Sequence, residues 1–101
     1  MANLRINVPR QSIEAFCSKW KISEFAFFGS VLREDFGPES DVDVLVTFAL
    51  DSRWSGFDIV DMIDELSVIL GRDVDLVEKD AIRNPFRRQA ILSSYEVFYA
   101  A

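Results

Sequence analysis

The 101-residue sequence predicts an α+β fold with α/β-like alternation: a small mixed β-sheet flanked by helices. Three observations carry that expectation. The spacing of apolar residues switches along the chain between helical periods and short, nearly continuous strand runs. Turn-forming Gly, Pro and Asn fall between these segments. The composition, half apolar with 13% aromatic and 28% charged residues, suits one globular unit, so residues 1–101 are expected to form a single domain.

Ile13, Phe16, Cys17 and Trp20 recur at i, i+3, i+4 and i+7 and predict a first helix with Pro9 in its opening turn. Phe25 to Phe28 is an apolar run ending at Gly29, the pattern of a buried strand. A short helix is expected over Ser30 to Glu34, then a loop from Phe36 to Ser40. Val42, Val44, Leu45, Val46 and Phe48 give a second strand with Asp41 and Asp43 at its entrance. After a polar loop from Asp51 to Gly56, Ser55 and Asp58 have capping-box spacing. Ile59, Ile63, Leu66 and Leu70 continue as an amphipathic helix that Gly71 stops. Val74, Leu76 and Val77, with Asp75 among them, predict a third strand. Asn84 and Pro85 introduce a last helix over Phe86 to Leu92, and Val97 to Tyr99 suits an edge strand.

Composition narrows the function. Eleven basic against seventeen acidic residues give a net charge of −6, which argues against direct nucleic-acid binding through the phosphate backbone. No apolar run approaches eighteen residues, so no membrane span is expected, and Met1 to Arg10 carries no secretory signal. The lone Cys17 fits a reducing, cytoplasmic setting and falls on the apolar face of the first helix. Histidine is absent, which excludes His-based zinc sites and Ser-His-Asp triads. Catalysis must rest on carboxylates, hydroxyls, Arg or Lys, or a bound metal.

Gly29 and Ser30 are followed after ten residues by Asp41, Val42 and Asp43. Residues i and i+2 of a strand share a face, so Asp41 and Asp43 place two carboxylates side by side. Their repulsion is relieved by a divalent cation, and Mg²⁺ takes carboxylates together with substrate phosphates. Gly29 and Ser30 stand at a strand-to-helix turn whose free N–H groups favour a phosphate. Asp75 adds a third carboxylate from another strand. These are the parts for two-metal phosphoryl or nucleotidyl transfer. Arg33 either reaches the bound phosphates or pairs with Glu34, Asp35 or Glu39. Arg72, Arg83, Arg87 and Arg88 either ring a nucleotide or an acidic partner, or face water. Trp54 is either a partner contact or packing against the sheet edge.

The Gly29–Ser30 pair, Arg33, Ser40 to Val46, the strand Val74 to Glu78 and the Asn84–Pro85 pair together resemble the minimal nucleotidyltransferases of the DNA polymerase beta superfamily. The resemblance implies that Asp41, Asp43 and Asp75 are catalytic and bind two Mg²⁺ ions, and that Gly29 and Ser30, with Arg33, hold the nucleoside triphosphate. It further implies AMP transfer from ATP to a hydroxyl, the acceptor being a tyrosine of a HEPN-type ribonuclease toxin for which the chain is the antitoxin. Two rivals stand beside this: a catalytically silent antitoxin that acts by occlusion, and nucleotidyl transfer to a small molecule.

Overall fold

The computed structural model describes residues 6–33 and 36–101. Its elements run α1 (Arg10–Lys19), β1 (Ile22–Phe28), a 3₁₀ turn (Gly29–Leu32), β2 (Val42–Phe48), α2 (Gly56–Leu70) and β3 (Val74–Glu78). A second 3₁₀ turn (Lys79–Ala81), α3 (Pro85–Leu92) and β4 (Tyr95–Ala100) complete the chain. The four strands form one mixed sheet in the order β3-β2-β1-β4. β2 and β3 are parallel, and the other two pairs are antiparallel. A parallel pair needs a crossover, which α2 supplies.

Alternation along the strands divides the core into two layers. Phe25, Phe27, Val42, Val44 and Val46 pack with Ile13, Phe16 and Cys17 of α1 and with Met62, Leu66 and Leu70 of α2. Phe16, Phe25, Phe27 and Phe98 interlock edge to face, with centroids 5.3–6.5 Å apart. On the other side Ala26, Phe28 and Leu45 pack against Ile91 of α3, with Val77 and Tyr95 at the margin. Asp43 and Asp75 are in phase with this second set: Asp43 is two residues from Leu45, and Asp75 two from Val77.

Local chemistry accounts for the helix ends. Ser55 and Asp58 form the expected capping box, the Asp58 N–H donating to Ser55 Oγ (3.3 Å) and the Ser55 N–H to Asp58 Oδ2 (2.9 Å). Gly71 closes α2 at φ +67°. Asn84 Oδ1 accepts from the N–H groups of Phe86 (2.9 Å) and Arg87 (3.1 Å), with Pro85 in the first position of α3.

Several expected boundaries move. β1 begins at Ile22, three residues earlier than the apolar run: Ile22 is buried, and the half-buried polar pair Ser23 and Glu24 sits at a register irregularity in the pairing with β2. β4 extends two residues before Val97 and one beyond Tyr99. The turn after β1 is a single 3₁₀ turn ending at Leu32, and Glu34 lies outside the described residues. On α2, Met62 rather than Ile63 is fully buried, since the stripe through Leu66 and Leu70 runs back to Met62 at i−4. Pro9 precedes α1 as its N-cap. Among the described residues no helix is long and apolar enough to cross a membrane.

Candidate active site

The register brings the predicted site residues to one end of the sheet. Asp43 lies opposite Phe28 across the β1–β2 pair and opposite Asp75 across the β2–β3 pair. Gly29 follows Phe28 directly, so the turn leaving β1 rests beside Asp43. Asp41 sits just before β2, exposed at the same end. Asp43 is half-buried and Asp75 exposed, giving an acid row with one member set into the protein.

Gly29 shows why the turn needs glycine. Its φ of +74° is in the left-handed region that side chains disfavour. A Cβ there would fall on Asp43 Oδ2 and lie 3.2 Å from Asp43 Cγ. Backbone and carboxylate therefore occupy adjoining space. The Ser30 hydroxyl has no protein partner among the described residues, and the Ser30 carbonyl accepts from the Arg33 N–H (2.9 Å) to close the turn.

Electrostatics single out Asp43. Its burial, then the neighbouring carboxylates of Asp75 and Asp41, hold its carboxyl above the ordinary range, while the guanidinium groups of Arg33 and Arg87 pull it back. Arg33 therefore lies near enough for its charge to act on Asp43. Among the described residues no set of three acidic side chains closes around a common point. The donors are a row along the sheet end, and they fit a hard divalent cation by type and by their mutual repulsion.

The loop that delivers Asp41 is tied down by Arg72. Its guanidinium donates to the carbonyls of Gly37 (2.5 Å) and Ser40 (2.7 Å) and stacks 4.5 Å over the Phe36 ring. The Gly37 N–H donates to Ser40 Oγ (3.0 Å), and the Val42 N–H donates to the Asp73 carbonyl (2.9 Å). Arg88 is likewise structural, donating to the Lys79 carbonyl (2.8 Å). Trp54 packs within the molecule: its Nε1 donates to the Trp20 carbonyl (3.0 Å) and its ring meets Trp20 edge to face at 5.1 Å. Cys17 is buried in the core, where loss of solvent and then Glu14 push its thiol up to about 12.

Composition gave Arg87 no distinction among the arginines, yet it lines a cleft of about 300 Å³ with Asp75, Val77 and Ile82. The signal was its spacing: Arg87 precedes Ile91 by four residues, and Ile91 is the residue of α3 buried on the acid-bearing face.

The mixed sheet thus brings an acid row at the start of two parallel strands beside a glycine turn. Comparison with known proteins gives the class. The nucleotidyltransferase domain family model matches residues 9–98, and the chain belongs to that family as a nucleotidyltransferase. A Methanocaldococcus jannaschii protein provisionally named a protein adenylyltransferase is 40% identical over 85 residues, which cover 84% of this chain and 85% of the relative. Among solved structures, a toxin–antitoxin complex with AMP-PNP superposes with a TM-score of 0.74 at 19% identity, covering 93% of this chain and 75% of that one. The complex of a tri-AMPylated Shewanella oneidensis HEPN toxin with its MNT antitoxin gives a TM-score of 0.65 at 19% identity, covering 91% and 70% of the two chains. At such identities these two likenesses establish a shared fold.

Proposed function

We propose that this nucleotidyltransferase moves AMP from ATP onto a tyrosine hydroxyl of a HEPN-type ribonuclease toxin and so acts as its antitoxin. The observation that carries the chemistry is the packing of the Gly29 turn against Asp43, with Asp75 in direct register on the neighbouring strand. A glycine turn packed against a carboxylate row suits a phosphate bound beside a hard cation. The acceptor rests on likeness: a relative bears the name of a protein adenylyltransferase, and a neighbour of the same fold is bound to a HEPN toxin carrying AMP.

In this reading the turn at Gly29 and Ser30, with Arg33 beside it, receives the β- and γ-phosphates through backbone N–H groups and the Ser30 hydroxyl. Asp41, Asp43 and Asp75 would hold two Mg²⁺ ions, whose chemistry is to neutralise phosphate charge and make the acceptor hydroxyl more acidic. Asp75, exposed at the edge of the row, takes the acceptor proton. The acceptor oxygen forms its bond to the α-phosphorus as the bond to pyrophosphate breaks. Pyrophosphate departs on the Gly29–Ser30 side.

The test is incubation of the chain with ATP, Mg²⁺ and a HEPN-type chain, followed by peptide mass spectrometry. The expected result is one or more AMP additions on tyrosine. Tight binding of the HEPN-type chain with no AMP addition would instead favour occlusion.

A further inference from the structure

We propose that Arg87 is a phosphate-binding residue of this site, gripping the nucleotide's phosphate chain from the α3 side while the Gly29–Ser30 turn holds it from the β1 side. The proposal rests on the nucleotidyl-transfer reading above and adds a residue to it. Three of the described arginines are tied to backbone carbonyls. Arg10 donates to the Phe98 carbonyl, Arg72 to those of Gly37 and Ser40, and Arg88 to that of Lys79. Each is committed to the backbone. The Arg87 guanidinium makes no hydrogen bond or ion pair within the described residues, although it lines one cleft with Asp75.

Its placement is built, not incidental. Asn84 and Pro85 fix the start of α3, and Ile91 anchors the helix on Leu45 and Ala26. Arg87, one turn before Ile91, is thereby held over the acid end of the sheet. Its charge acts on Asp43 together with that of Arg33, which comes from a different element. The geometry that places Arg87 is the cleft it shares with Asp75, the residue paired with Asp43 across β2 and β3. An arginine needed only to offset acidic charge would gain by closing an ion pair with Asp75, and this one does not. A planar guanidinium left beside a metal-binding acid row suits the non-bridging oxygens of a phosphate chain.

The test is titration calorimetry on the full chain with Mg²⁺–ATP and with inorganic triphosphate, for wild type, Arg87→Gln, Arg87→Lys and Arg53→Gln. Arg53 is exposed near the far end of β2, next to Phe48 and Trp54, and controls for net charge. Arg87→Gln should weaken both ligands by roughly 10-fold or more, since a charge-assisted hydrogen bond is lost. Arg87→Lys should recover part of the loss, and Arg53→Gln should stay within about twofold of wild type. Binding of Mn²⁺ alone, followed by the free-ion electron paramagnetic resonance signal, should be unchanged or tighter in Arg87→Gln, because a repelling cation is gone.

Unchanged triphosphate affinity in Arg87→Gln overturns the proposal. So does an equal loss in Arg53→Gln, or a parallel loss of Mn²⁺ that marks Arg87 as a support for the acids. Wild type that binds neither ligand overturns the site reading as well. Wild type that binds, with Asp43→Asn dead in transfer and Arg87→Gln normal in binding, overturns the role of Arg87 alone.

Discussion

Replacing Gly29 by Ala tests how closely the phosphate turn and the acid row are coupled, and Gly71 provides an internal standard. Both glycines have positive φ, +74° and +67°, so each substitution carries the left-handed backbone cost of roughly 1–2 kcal/mol. Nothing lies within 4 Å of a Cβ at position 71, whereas at 29 the Cβ meets the Asp43 carboxylate. Overpacking of that kind adds about 1–3 kcal/mol. In a domain of this size each kcal/mol is roughly 4–8 °C in Tm. Gly71→Ala should therefore lose about one such step or two, and Gly29→Ala clearly more. Transfer of label from α-labelled ATP to the HEPN-type acceptor should fall about a hundredfold in Gly29→Ala, because Asp43 must move. Gly71→Ala should retain it. In an Asp43→Ala background the extra cost of Gly29→Ala should vanish, leaving only the backbone cost. Equal destabilisation by the two glycine variants, with transfer intact in both, would refute the coupling.

Other perturbations follow from the same geometry. Asp43→Asn should raise the thermal stability of the metal-free protein near neutral pH. The Asp43 carboxyl is raised from 3.8 in the folded state, so its favourable contribution is complete below that value and is lost as pH rises through the shifted one. A pH series of melting curves should show the gap between wild type and variant widening upward, and a variant less stable at neutral pH would contradict the sign. Asp75→Asn removes an exposed group and should leave Tm within about 1 kcal/mol equivalent while cutting turnover by orders of magnitude, with ATP still bound. Arg72→Ala frees the carbonyls of Gly37 and Ser40 and should cost about 2–3 kcal/mol in urea unfolding, with weaker metal binding through a loosened Asp41. Cys17, buried and with its thiol pushed up to about 12, should resist thiol reagents at pH 8 in the native protein and react on unfolding.

Much of this was legible in the residues. The period of Ile13, Phe16, Cys17 and Trp20, the capping pair Ser55 and Asp58, and the stop at Gly71 are local signals, and each fixed an element that the structure contains. The pairing of Asp43 with Asp75 was not local: it depends on the parallel register of two strands separated by α2, which spacing alone does not specify. Strand ends were hidden where polar residues such as Ser23 and Glu24 interrupt the apolar run of β1 at a register irregularity. The arginines were the least readable. Arg72 and Arg88 differ from Arg87 in which carbonyls the fold brings within reach, a property of tertiary structure and not of residue type. Trp54 was similarly ambiguous until Trp20, thirty-four residues earlier, supplied its hydrogen-bond acceptor.

The most direct test of the acid row as the seat of nucleotidyl transfer compares ATP labelled at the α- and at the γ-phosphate. Wild type and Asp43→Asn, shown by circular dichroism to share one fold, are each incubated with either nucleotide, Mg²⁺ and the HEPN-type chain. The α-label should move to the acceptor with wild type only, and the γ-label should leave as pyrophosphate in that reaction and never appear on protein. Transfer of the γ-label, or of the α-label by Asp43→Asn at near the wild-type rate, would contradict the account.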